Sequence, residues 1–101
     1  MRFQRWYSQR TNGDWEHQHG IKIETLDNPG WRMEVDLVET YLAGRPFVAI
    51  EREAADNDWV RCWLEGTQFH AAGGAENLTE MVEIFLEWAE APLAPNASAL
   101  T

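Results

Sequence analysis

The stretch Gly20-Ile21-Lys22-Ile23-Glu24-Thr25-Leu26-Asp27-Asn28-Pro29-Gly30-Trp31-Arg32-Met33-Glu34-Val35-Asp36-Leu37 decides the fold. In its first half Ile21 and Ile23 alternate with Lys22 and Glu24. In its second half Trp31, Met33, Val35 and Leu37 alternate with Arg32, Glu34 and Asp36. A period of two gathers each apolar set on one face of a half-buried strand. Between the runs, Asp27-Asn28-Pro29-Gly30 predicts a type II turn with Pro29 at its second position and Gly30 at its third. Two alternating runs around a tight turn predict an antiparallel hairpin.

Working outward, residues 47–53 predict a third strand, entered through Gly44-Arg45-Pro46. A polar turn over 54–58 leads to a fourth strand at 59–65, and Gly66-Thr67-Gln68 leads to a short fifth at 69–72, closed by Gly73-Gly74. Nothing between them is long enough for a crossover helix, so a meander is expected. The last element is a helix over about 77–90. Leu78, Met81, Val82, Phe85 and Ala89 make its apolar stripe, flanked by Leu86 and Trp88, and Pro92 stops it. Asn77 with Glu80 three residues on fits a variant of the capping box. At the other end Phe3, Trp6, Tyr7 and Arg10 share one face of a short helix that Thr11-Asn12-Gly13 ends. The fold class is therefore α+β: a short N-terminal helix, an antiparallel four- to five-stranded meander sheet, and a C-terminal amphipathic helix packed on one face. One domain spans 1–91, and the Ala- and Pro-rich tail 92–101 is expected to be disordered.

Composition bounds the function. The 101 residues suffice for one domain, and with 45% hydrophobic residues, including six Trp, four Phe and two Tyr, they can build a core. Neither a membrane span nor a signal peptide is apparent, and the lone Cys62 forms no internal disulfide, so a cytoplasmic location is expected. The formal charge is −9, and no Lys or Arg follows Arg61. That balance argues against nucleic acid, whose phosphates need clustered basic groups, and suits a basic protein partner. Glu76, Glu80, Glu83, Glu87 and Glu90 fall opposite the apolar stripe of the last helix, where no basic residue of that helix relieves them. A solvated face explains them equally well.

Three constellations bear on chemistry. If Val60, Cys62 and Leu64 face the core, then Trp59, Arg61, Trp63 and Glu65 face away, joined there by Lys22, Glu24, Arg32, Glu34 and Asp36. Trp and Arg among carboxylates have the composition of an interaction surface; the alternative is a helix covering Trp59 and Trp63. The segment Asp14-Trp15-Glu16-His17-Gln18-His19 raises metal binding or acid–base chemistry. Alternation in an extended chain would aim Glu16 away from His17, and neither a Cys pair nor helical His spacing completes a site. Asp14 capping a turn, with Trp15 in the core, is the plainer expectation. Cys62, mid-strand on the core face, is expected to be an inert buried thiol. No catalytic residue, metal site or cofactor is assigned.

Taken in order, Trp6-Tyr7, Gly13-Asp14-Trp15-Glu16-His17, the run from Gly20 to Trp31, Asp58-Trp59, Gly73-Gly74 and Phe85-Leu86-Glu87-Trp88-Ala89 resemble the immunity protein 53 family. The resemblance covers about residues 3–89, and its specificity lies between Gly13 and Trp31. It implies a small cytosolic immunity protein of a bacterial polymorphic toxin system, one that binds a cognate toxin and protects the producing cell. The toxin is often a nuclease or another intracellular enzyme domain. Under that reading the expected partner-binding residues are Asp14, Glu16, His17, Asp27, Glu34, Asp36, Trp59, Arg61 and Trp63. No nucleic acid or membrane partner is expected, and an exposed Trp-bearing sheet face also suits a homodimer. A metal protein or small enzyme using Asp14, Glu16, His17 and His19, and a general interaction domain, stand as the other classes.

Overall fold

A computed structural model describes residues 2–91; the expected disordered tail lies outside the described residues. The elements are α1 (Arg2–Arg10), α2 (Trp15–Gln18), β1 (Ile21–Leu26), β2 (Gly30–Asp36), β3 (Ile50–Ala55), β4 (Asp58–Glu65), β5 (Gln68–Gly73) and α3 (Leu78–Glu90). All strand pairs are antiparallel, and the sheet order is β1-β2-β5-β4-β3. The α+β class, the two flanking helices and the strand count agree with the sequence reading.

The strand order departs from a simple meander. Strand β2 pairs with β5 rather than β3, and residues 37–49 cross to the far edge without forming a strand. Burial explains the choice. Phe69 and Ala71 of β5 are fully buried beside Val35 and Met33, whereas β3, with Glu51, Arg52 and Glu53, is exposed along most of its length. The strand without a charged residue takes the centre, and the strand with the highest share of charged residues takes an edge. That third strand also begins at Ile50 rather than 47.

Helix α3 packs its stripe of Met81, Phe85, Leu86 and Ala89 on the face formed by Met33, Val35, Val60, Cys62, Phe69 and Ala71. Phe85 makes edge contacts with Phe3, Trp6 and Phe69, so α1 and the sheet meet on one ring. The crossing segment is tied to α3 by polar anchors. Tyr41 donates its hydroxyl to the Ala89 carbonyl at 2.8 Å and accepts from Trp6 Nε1 at 3.0 Å; Trp88 Nε1 donates to the Pro46 carbonyl at 2.8 Å.

Three local expectations are corrected. Gly30 has no left-handed φ and opens β2, so the turn is not type II. Its lack of a side chain serves a close approach instead, since a Cβ there would collide with the Gly73 carbonyl oxygen of the neighbouring strand. The segment after Gly13 is helical, not extended: the Asp14 carbonyl accepts from the His17 and Gln18 amides at 3.2 and 3.0 Å. Its capping side chain is Asn12, whose Oδ1 accepts from the Asp14 and Trp15 amides at 2.9 Å each. Asn77 makes no side-chain cap on α3. Its amide nitrogen bonds Asp58 and Glu80, both at 3.1 Å, knitting the helix start to β4.

Candidate interaction face

Register fixes what stands on the side of the sheet away from α3. One row runs Glu24, Arg32, Ala72, Arg61, Glu51 across β1, β2, β5, β4 and β3. The adjacent row runs Lys22, Glu34, His70, Trp63, and a third holds Asp36, Gln68 and Glu65. These side chains alternate with the core set, so packing of α3 on one face leaves this one open. Arg61, Glu51 and Glu53 are exposed, and Trp59 and Trp63 are half-buried.

The centre of the face is a layered aromatic and ionic array. Trp63 stacks on His70, with ring centroids 5.4 Å apart and planes 9° from parallel. That leaves His70 only 5% exposed although no helix of the described residues covers it. Arg32 Nη2 lies 3.3 Å from His70 Nδ1. A guanidinium only donates, so Nδ1 accepts, and the ring proton of a neutral imidazole sits on Nε2, which faces Glu65 at 3.9 Å. Arg32 also donates Nε to Glu34 at 3.0 Å. On the other side of Ala72, Arg61 lies 5.6 Å over the Trp59 ring and 3.2 Å from Glu51, with Glu53 at 3.9 Å.

Two clefts flank this array. One, of about 270 Å³, is lined by Asn28, Glu53, Asp56, Trp59 and Arg61. The other, of about 230 Å³, lies at the opposite end of the strands and includes His19, Lys22, Glu34, Asp36 and Gln68.

Of the residues expected to contact a partner, the sheet gathers Glu34, Asp36, Trp59, Arg61 and Trp63 on one face. Asp27 sits in the β1–β2 turn, next to the Asn28 that lines the first cleft. Asp14 and His17 are exposed at α2. Glu16 is engaged in holding its own loop: its carboxylate accepts from the Asn12 and Gly13 amides at 2.8 and 2.6 Å. Backbone amides, its own first and then that of Asn12, hold this carboxyl below its ordinary range. His19 turns to Asp36 instead, with Nδ1 2.9 Å from Oδ2, and the other Asp36 oxygen accepts from the Val38 amide at 3.0 Å. The Asp14-to-His19 segment thus sends its polar groups to separate partners. Among the described residues no group of three or more His, Cys, Asp or Glu is placed to hold a metal ion.

Sequence reasoning missed His70, Glu51, Glu53 and Asp56. His70 had a usable signal: with Phe69 and Ala71 in the core, parity puts it beside Trp63. Its burial comes from stacking, which no local pattern announces.

Cys62 is 1% exposed on the core face, and burial first, then Glu80, pushes its thiol up to about 12. Among the described residues no helix is long and apolar enough to cross a membrane. A family model described as Immunity protein 53 matches residues 1–90. Neither the curated proteins nor the solved structures yielded a match to this chain.

Proposed function

We propose, from the premise that this chain belongs to the immunity protein 53 family, that it neutralises a cognate toxin of a polymorphic toxin system by direct one-to-one binding in the cytoplasm. The observation that carries this reading is the open sheet face, where Trp59, Trp63, Arg32 and Arg61 stand among carboxylates and, among the described residues, no helix covers them. Trp and Arg are the residues on which interface energy concentrates. The carboxylates Glu34, Asp36, Glu51 and Glu53, with the chain's charge of −9, favour a basic partner and speed its encounter. If that partner is a nuclease, these carboxylates occupy the place of nucleic-acid phosphates and block its active site. Asp14, His17 and Asp27 lie at the periphery of the same contact. Binding needs neither cofactor nor catalysis by this chain.

The test is a titration against the C-terminal toxin domain encoded beside this gene, at low and high salt. We expect one-to-one binding with Kd on the order of 1 nM, weakened by salt and by Glu34→Lys with Asp36→Lys. Tight binding indifferent to both changes moves the contact off this face. No binding to a folded toxin overturns the immunity pairing.

A further inference from the structure

Among the described residues the sheet ends in two unpaired edges, β1 and β3, and they differ in a way that selects a partner for one of them. Strand β1 is exposed at each position from Lys22 to Thr25, and Ile23 remains 41% exposed on the α3 side of the sheet. Its main chain points outward at alternate residues. The Asp36 amide donates to the Gly20 carbonyl at 3.0 Å, so Gly20, and by alternation Lys22 and Glu24, turn their peptide groups toward β2. The N–H and C=O groups of Ile21, Ile23 and Thr25 then point away from β2.

From this we infer that β1 pairs with β1 of a second copy of this chain, antiparallel and centred on Ile23. In that register Ile23 meets its own copy and Ile21 meets Thr25, each pair exchanging main-chain N–H···O=C bonds between groups that already point outward. Lys22 meets Glu24 of the second copy, and Glu24 meets its Lys22. Within the chain Lys22 already lies across from Glu34, and Glu24 from Arg32. The rows crossing the junction therefore alternate in sign: Glu34, Lys22, then Glu24 and Arg32 of the other copy. Opposite charges directly across a strand pair stabilise it, and like charges oppose it. Sliding by one two-residue step puts Lys22 against Lys22 or Glu24 against Glu24, so charge selects a single register.

Lysine on an edge strand usually guards against pairing. Lys22 is the only lysine in the chain, and Glu24 two residues on makes it complementary to a copy of itself. The other edge lacks this property. Pairing β3 with its own copy about Arg52 sets Glu51 against Glu53, and centring on either glutamate sets it against itself. Only β1 is self-complementary. The two-fold axis stands perpendicular to the sheet, so the open faces of both copies lie on the same side. This association does not depend on the toxin reading.

Sedimentation equilibrium of the wild-type chain over a concentration series tests it. A contact of one strand pair falls below the standard interface size, so a Kd on the order of 10–100 µM is expected. Lys22→Glu and Glu24→Lys should each weaken self-association by about tenfold or more. Mixing the two variants should restore it, because each then faces a charge opposite to its own; a fold damaged by either change would not be rescued this way. Circular dichroism of each variant confirms folding first. A wild type that stays monomeric to 1 mM (roughly tenfold above the expected range) overturns the inference, as does a dimer that survives both single reversals.

Discussion

Arg52 of β3 reaches Glu80 of α3 at 2.6 Å, and the same Nη2 meets Asp58 at 3.0 Å. An edge strand, its neighbour and the start of the C-terminal helix are joined through one guanidinium. Asn77, 7% exposed, completes the network by donating to both carboxylates and accepting from the Trp59 amide at 3.4 Å. Asn77→Ala removes a buried group, leaving Asp58 and Glu80 with one donor fewer and the Trp59 amide without this acceptor. The expected cost is about 1–3 kcal/mol, read as a lower urea midpoint with an unchanged slope.

Gly74 lies against the same network. A Cβ on it would come within 2.7 Å of both the Asn57 carbonyl oxygen and Asn77 Oδ1. The first is backbone and cannot swing aside, so Gly74→Ala should cost about 1–3 kcal/mol. Asn77→Ala relieves only the second clash. The double variant should therefore lose less stability than the sum of the two single changes; strict additivity would show that Asn77 does not limit the space there.

The network also sets a pH dependence. Asn77 first, and then Arg52, hold the Asp58 carboxyl below its ordinary range, and backbone amides do the same for Glu16. A carboxyl lowered in the folded state favours folding at pH above its unfolded value of about 4 and loses that contribution as pH falls through the folded value. Urea midpoints should therefore decline below about pH 4, and Asp58→Asn should flatten part of that decline. An unchanged acid limb in Asp58→Asn would assign the effect elsewhere.

Much of this was legible from the chain. Alternation from Ile21 to Leu37 defined the hairpin because one face is buried and the other is charged. The buried Cys62 followed from the same parity, and the apolar stripe of α3 from the helical period of 3.6. Strand order was less accessible: local alternation gives a strand its two faces but not its neighbours. The cue was composition, since Phe69 to Gly73 carries no Asp, Glu, Lys or Arg and half of Ile50 to Ala55 is charged. The short α2 was hidden because a single turn has no periodicity to detect. Glu16 looked like a contact residue, yet it closes its own loop onto two amides that the residue pattern does not reveal.

On the proposed interaction face, Trp63 and His70 stack as a unit. Trp63→Ala removes the stacked ring and uncovers His70, which loses its lid. Toxin affinity should fall by about 2 kcal/mol or more, roughly thirtyfold, with a far smaller change in urea midpoint because Trp63 is only half-buried. Trp63→Phe keeps a stacking ring and should recover most of the affinity. Equal losses in affinity and stability would make Trp63 a structural residue rather than an anchor.

Cys62 offers an internal probe of opening. Its sulfur is buried beneath α3 between Val60 and Leu64, and desolvation pushes its thiol up to about 12. At pH 8 the folded chain should thus react with an aromatic disulfide reagent only through transient unfolding. Labelling should be slow in the wild type and faster in Asn77→Ala, in proportion to the stability lost. Rapid labelling of the fully folded chain, insensitive to Asn77→Ala, would instead require an accessible thiolate and overturn the burial of Cys62 beneath α3.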